Sequence, residues 1–146
     1  MIMGNSNKQN GFTLIEVVCA ILVLAIGILG VAVLQNISIE GNSNAIRLTS
    51  AATWGGDSLE TLMARPYTHA DLLDDNNDGI AGLDFTDALG NPADGGPIIH
   101  GNFTIFWNVA DDHPVFGTKT IRVLVQRSDN GLLKTITLNF IKMEPI

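Results

Sequence analysis

The chain has 146 residues, enough for one small domain with an extended element and too few for two ordinary domains. Its 15 Asp and Glu against 8 Lys and Arg give a formal charge of -7, which argues against a nucleic-acid partner, since that needs clustered positive charge. The one cysteine, Cys19, lies in an apolar run; it allows no internal disulfide and reads as a small hydrophobe to be buried.

The chain opens with residues 1–11, MIMGNSNKQNG, a polar stretch whose one charge is Lys8 and whose last residue is glycine. FTLIEV follows, with the carboxylate of Glu16 just inside an apolar run. From Val17 to Leu34, VVCAILVLAIGILGVAVL, 18 residues pass without a charged or strongly polar side chain. As a helix this stretch is ~27 Å long, close to the thickness of a bilayer's hydrocarbon core, and it has no polar face. A membrane-spanning helix is predicted. Two other readings stay open here: a secretory signal, cut after Ala32 in GVA, and a plain membrane anchor. Neither gives Glu16 a purpose. A carboxylate within hydrocarbon costs about 2.5–3.5 kcal/mol on insertion scales, so this acid needs a partner.

GFTLIE resembles the processing motif of type IV prepilins and pseudopilins. The resemblance implies that a prepilin peptidase cuts after Gly11 and methylates the new N-terminus at Phe12. It also implies that Glu16 pairs with the terminal amine of a neighbouring subunit, fixing the stagger between them. A buried pair of this kind serves register more than raw stability. The continuation LAIGILGVAVLQ is more similar to minor pilins of the PilV type than to major pilins. The partners so implied are other pilins or pseudopilins, the peptidase and a bacterial inner membrane. The chain would cross that membrane once, with its globule in the periplasm before assembly.

No proline occurs between Phe12 and Arg65, so one helix of ~80 Å is allowed over that distance. Residues 12–35 form its transmembrane and assembly part and residues 36–65 an amphipathic stalk. Gly27 and Gly30 stand in the span, where pilins often carry a proline. Along the stalk an apolar or small stripe runs through Ile37, Gly41, Ala45, Leu48, Ala52, Gly56, Leu59 and Leu62, in steps of three and four that place it on one helix face. Gly55-Gly56 before Asp57 is a candidate break, with SLETLMAR restarting the helix. Arg65-Pro66 ends it in either case.

Residues 66–101 form an acidic loop region rich in Asp, Asn, Gly and Pro. Between Arg65 and Lys119 there is no Lys or Arg, so a cation from outside would ease the repulsion. Asp74-Asp75-Asn76-Asn77-Asp78-Gly79-Ile80 matches the first half of a calcium loop. Asp74, Asn76 and Asp78 would supply side-chain oxygens, Gly79 the sharp turn and Ile80 its carbonyl. The twelfth position, where a bidentate acid is expected, is Phe85, so Asp84 is the nearest closing ligand. The competing reading is a solvated Asp/Asn turn without metal.

Residues 102–146 alternate apolar and polar side chains in three runs, NFTIFWNVA, TKTIRVLVQR and KTITLNF, which predicts an antiparallel sheet. Asn130-Gly131 marks the hairpin between the last two. One apolar face needs a cover, and the stalk helix supplies it. The fold class expected is therefore α+β, a long N-terminal helix on a small antiparallel sheet, in the manner of type IV pilins. His69, His100 and His113 sit in no catalytic motif, and Asp111-Asp112-His113-Pro114 reads as a turn; no enzyme is expected. Two functions follow. One is a structural filament subunit, either a minor pilin in assembly or initiation or a minor pseudopilin of a type II secretion system. The other is an adhesion module presenting a calcium-ordered loop.

Overall fold

The computed structural model describes residues 11–87, 90, 92–129 and 131–144. The leader before Gly11, and Asn130 of the expected Asn-Gly turn, lie outside the described residues. Helix α1 runs without a break from Leu14 to Ala64, 51 residues. It ends where Pro66 forbids a further turn. Gly55-Gly56 does not interrupt it. The hydroxyls of Thr49, Ser50, Thr53, Ser58 and Thr61 each donate to the carbonyl four residues back, so the polar face of this part satisfies itself within the helix.

The chain divides into two units, one up to Asn44 and one from Ala45 onward. In the first, the apolar side chains are exposed throughout, Leu14, Val23 and Leu34 among them. Cys19 is exposed with them, not buried within the chain as its setting suggests. This segment is long and apolar enough to cross a membrane.

The second unit packs the end of α1 on a four-stranded antiparallel sheet in the order β1-β2-β3-β4. The strands are β1 (Gly95–His100), β2 (Phe103–Asp111), β3 (Thr118–Asp129) and β4 (Leu132–Met143). Asp112, His113 and Pro114 lie in the β2–β3 connection, where the Asp112 carboxylate accepts the Gly117 N–H. β1 falls within the stretch read as loop. Its Gly-Gly-Pro start is a poor strand signal, and the register against β2 slips between Gly95 and Ile98. A bulge on an edge strand is where proline is tolerated in a sheet.

The face of α1 that is buried runs through Ala51, Gly55 and Leu62, with Leu59 partly covered. This is one residue off the expected stripe at two places, since Ala52 is exposed where Ala51 is buried and Gly55 is the inner glycine of its pair. Against this face stand Ile105, Val109, Ile121, Val123 and Val125, flanked by Phe103, Trp107, Ile136, Leu138 and Phe140. All are odd-numbered on β2 and β3 and even-numbered on β4, as the pairing Val123↔Leu138 requires. At Gly55 the backbone comes so close that a Cβ would lie 2.5 Å from Leu138 Cδ1 and 3.0 Å from Val125 Cγ2.

The sheet is apolar on its other face too. Phe106, Ala110 and Leu124 are buried there, together with Asn108. The cover is the acidic segment, whose 3₁₀ turn Gly79–Gly82 packs on β2. This second layer does not extend over β4, where Thr135, Thr137 and Asn139 are exposed.

Charged side chains tie the ends together. Asp129, at the end of β3, receives Arg47 from α1 at 3.0 Å, Arg127 at 2.6 Å and Lys134 at 3.3 Å. The Lys134 hydrogen bond and the two guanidinium charges hold its carboxyl below the usual carboxylate range. Its contribution to stability is therefore present above that range and lost in strong acid. The last turn of α1 has no basic residue of its own. Lys142 of β4 supplies one, donating to the Met63 carbonyl at 2.8 Å and to the Arg65 carbonyl. Those are the acceptors that a helix end leaves open.

The two adjacent glycines of α1 predict opposite outcomes. Gly55→Val forces a branched side chain into Leu138 and Val125 and should cost about 2 kcal/mol. A Cβ at Gly56 would meet nothing within 4 Å, so Gly56→Ala should stabilise by ~0.5–1 kcal/mol. Thermal or denaturant unfolding of the two variants measures both.

Candidate functional site

The described chain begins with a short non-helical stretch that leads into α1. Gly11, Phe12 and Thr13 are non-helical and exposed, with the Phe12 side chain 83% exposed. Thr13 then starts α1: its Oγ1 accepts the Glu16 N–H at 3.4 Å, and its carbonyl accepts from Glu16 and Val17. This is one half of a capping box, with Glu16 at the third helical position. The carboxylate therefore stands in the first turn, at the positive end of the helix dipole, which favours an anion. Among the described residues no Lys, Arg or His forms an ion pair with Glu16.

In the acidic loop, Asp74 is the organising residue. Its Oδ1 accepts the Asp78 N–H at 3.1 Å and its Oδ2 accepts the Gly79 N–H at 2.9 Å. Asn76 Oδ1 also accepts from Asp78 N–H, at 3.2 Å. Asn77 and Gly79 both have φ of 56°, the left-handed turns by which the chain wraps around its own carboxylates. Asp78 is half-buried, but both its carboxylate oxygens are shut off from solvent and have no hydrogen-bond partner. They lie against Gly82, where a Cβ would fall 1.7 Å from Oδ1. Burial pushes the Asp78 carboxyl up, partly opposed by the Asn76 side chain, and the Asp74 charge adds to the rise.

Asp94, just before β1, is the third acid of the group. Its Oδ1 accepts the Asp75 N–H at 3.2 Å, and its Oδ2 accepts the Val109 N–H of β2 at 2.7 Å. It thus holds the loop to a backbone group of β2 that lies beyond the start of β1 at Gly95. Burial pushes its carboxyl up to about 6; the Val109 hydrogen bond opposes this, and the charges of Asp74 and Asp78 add to it. Behind it, Asn108 is 1% exposed. Its Oδ1 accepts the Asp94 N–H, and its Nδ2 donates to the carbonyls of Leu83 and Phe85 at 3.1 and 2.8 Å. One buried amide therefore pins three points of the second layer.

The structure brings Asp74, Asn76 and Asp78 together. Ile80 follows them in the 3₁₀ turn with its side chain exposed. Asp84 is drawn elsewhere, to Arg122 at 2.6 Å, and Asp94 takes the place beside the loop. Sequence spacing missed Asp94 because it approaches from the far end of the loop region, and missed Asn108 because it looks like an outward polar residue of a strand. The signal for Asn108 was the pair of apolar neighbours on its own face, Phe106 and Ala110. Among the described residues no three His, Cys, Asp or Glu side chains are gathered closely enough to hold a metal ion by themselves. A separate cleft of about 370 Å³ lies beside Trp54, Trp107, Asp57 and Arg65. Its wall is stiffened by Trp54 stacked on His100 at 4.1 Å.

Asn108→Ala would take the side-chain partner from the Leu83 and Phe85 carbonyls and from the Asp94 N–H, and should cost about 3 kcal/mol. Asp94 sets a pH slope. Its folded pKa lies above the ordinary value, so the folded state binds the proton more tightly, and stability falls as pH rises from about 4 through about 6. In chelator-containing buffer, denaturant unfolding across that range should show the slope in the native chain. Asp94→Asn should reduce it.

Residues 6–32, a minor part of the chain, match the prokaryotic N-terminal methylation motif, a motif of type IV prepilin-like proteins that suggests a pilin or pseudopilin role in general terms. No curated protein and no solved structure matches the chain. The α+β arrangement, a long apolar N-terminal helix with a four-stranded antiparallel sheet, is consistent with a type IV pilin fold.

Proposed function

We propose that the chain is a minor pilin, a structural subunit that enters a type IV filament and acts in its assembly or initiation. A prepilin peptidase would cut between Gly11 and Phe12, and α1 would then pack among the helices of other pilins. The observation that carries this reading is the conjunction at the N-terminus. A methylation motif covers residues 6–32, and it runs into a helix whose first unit leaves its large apolar side chains exposed. Such a surface has to be covered by lipid or by other helices. Glu16 fits the same account. Its carboxylate would meet the new terminal amine of a neighbouring subunit, compensating both charges and setting the axial register.

In this reading residues 1–11 are the leader, residues 12–35 anchor the chain in the bacterial inner membrane, and the globule stands in the periplasm until assembly. The chain is a building block, not an enzyme. A minor pseudopilin of a type II secretion system would share every one of these features, because the motif is common to both kinds of filament. Deleting the gene in its host separates them: loss of surface pili supports the pilus, and loss of protein secretion with intact pili supports the pseudopilus.

The first test is intact-mass and N-terminal analysis of the protein recovered from membranes of its own host. The expected chain begins at N-methylated Phe12. A chain starting after Ala32, or an uncut one, would overturn the proposal. Glu16→Ala should be processed normally but enter filaments poorly, measured as the ratio of the variant in sheared filaments to that in membranes. Equal incorporation would remove the charge-pairing account.

A further inference from the structure

We infer that the end of the β3–β4 hairpin, where Leu132 and Leu133 stand among the bases Arg47, Arg127 and Lys134, is a docking point for the surface of an anionic lipid bilayer. The inference rests on the membrane anchor of the reading above and goes beyond it, since that reading requires only the helix to enter lipid.

This end of the hairpin lies where α1 enters the domain. Arg47, at the start of the second unit, pairs with Asp129 at the end of β3. Lys142, near the other end of the hairpin, reaches the carbonyls of Met63 and Arg65. β3 and β4 therefore run along α1 with their connection beside its earlier turns.

The apolar side chains at this end are uncovered. Leu132 and Leu133 are 69% and 68% exposed. They open β4 as neighbours, opposite Asp129 and Ser128, and so project to opposite faces of the sheet. A protein surface laid against the sheet covers one of those faces. A medium that the end enters tip first covers both, and the boundary between lipid headgroups and acyl chains is such a medium.

Charge selects the kind of lipid. Arg47, Arg127 and Lys134 surround a single acid, Asp129, at 3.0, 2.6 and 3.3 Å. The chain has only 8 Lys and Arg and a formal charge of -7, yet three of its bases gather here and outnumber the acid that holds them. The opposite end of the strands carries Asp111 and Asp112 in the β2–β3 connection. The domain is thus polarised along its strands, with the basic end next to the leucines. Lys and Arg close to an anionic headgroup layer are attracted over about a Debye length.

A tether lowers the affinity that is needed. Only residues 35–46 separate the apolar run ending at Leu34 from Arg47. With that run in a bilayer, so short a connection gives the hairpin end an effective concentration at the lipid on the order of millimolar, and a weak contact suffices.

The test uses the full chain with Cys19→Ala, so that Leu133→Cys can carry a polarity-sensitive fluorophore. It is reconstituted in vesicles of phosphatidylcholine, alone or with phosphatidylglycerol, and quenched with spin-labelled lipid. The probe at position 133 should shift to the blue and be quenched severalfold more in the anionic vesicles, and high salt should abolish the difference. Lys134→Gln should reduce it severalfold. A probe at Thr137→Cys, exposed further along β4, should stay unquenched in both lipids. A probe on native Cys19 reports the span in the same vesicles. Quenching at position 19 without quenching at 133 would overturn the inference and leave the anchor standing; quenching at neither would overturn both. Quenching at 133 that follows the protein-to-lipid ratio instead of the phosphatidylglycerol content would assign the leucines to contact between copies and also overturn the inference.

Discussion

A small sheet that is apolar on both faces has to be covered twice, and the rest of the domain follows from that constraint. Ile105, Val109, Ile121, Val123 and Val125 demand a cover on one side, while Phe106, Ala110 and Leu124 demand it on the other. The end of α1 meets the first demand by direct apolar packing, close enough at Gly55 that no side chain fits. A loop meets the second, and a loop brings unpaired backbone groups with it. Asn108 answers that need by committing its whole amide to the loop's backbone. The acids of the loop are thereby held near one another, because the segment that carries them is fixed to the sheet at Leu83, Phe85 and Asp94.

Much of this was legible in the sequence, and the parts that were not have physical reasons. β2, β3 and β4 announced themselves by alternation, and α1 by an unbroken apolar run with no proline before Pro66. The inner stripe of the helix was misplaced because Ala51-Ala52 and Gly55-Gly56 set equally small residues side by side, so hydrophobicity could not choose between them. β1 was invisible because Gly95-Gly96-Pro97 carries turn chemistry, which the bulge absorbs. The second layer was hidden for a different reason. In IFW and VLV every residue is apolar, a pattern that marks burial on both faces, but the partner was a polar loop without periodicity. The substitution of Asp94 for Asp84 beside the turn is a tertiary fact, set by where β2 leaves a free N–H.

The N-terminal unit obeys the opposite logic. From Leu14 to Asn44 the helix carries its apolar side chains exposed. Its first acid, Glu16, stands where the helix dipole best tolerates a negative charge, with Thr13 closing the first turn beneath it. The same four residues, Thr13 to Glu16, therefore start the helix and lie within the methylation motif. A resemblance carried by GFTLIE has a local structural meaning as well as a family one.

Lys142 has a kinetic consequence. It reaches the carbonyls of Met63 and Arg65 from 79 and 77 residues away along the chain, and Leu138 of the same strand faces Gly55. The helix terminus and its nearest core contact are thus completed by the last strand in the order of elements. Closing a loop of that size must precede the contacts that reward it, which places the search among slow, non-local pairings rather than local helix formation. Until β4 has docked, the inner face of α1 is an apolar stripe with an uncapped end, and the folded domain exists only once its most distant partners have met.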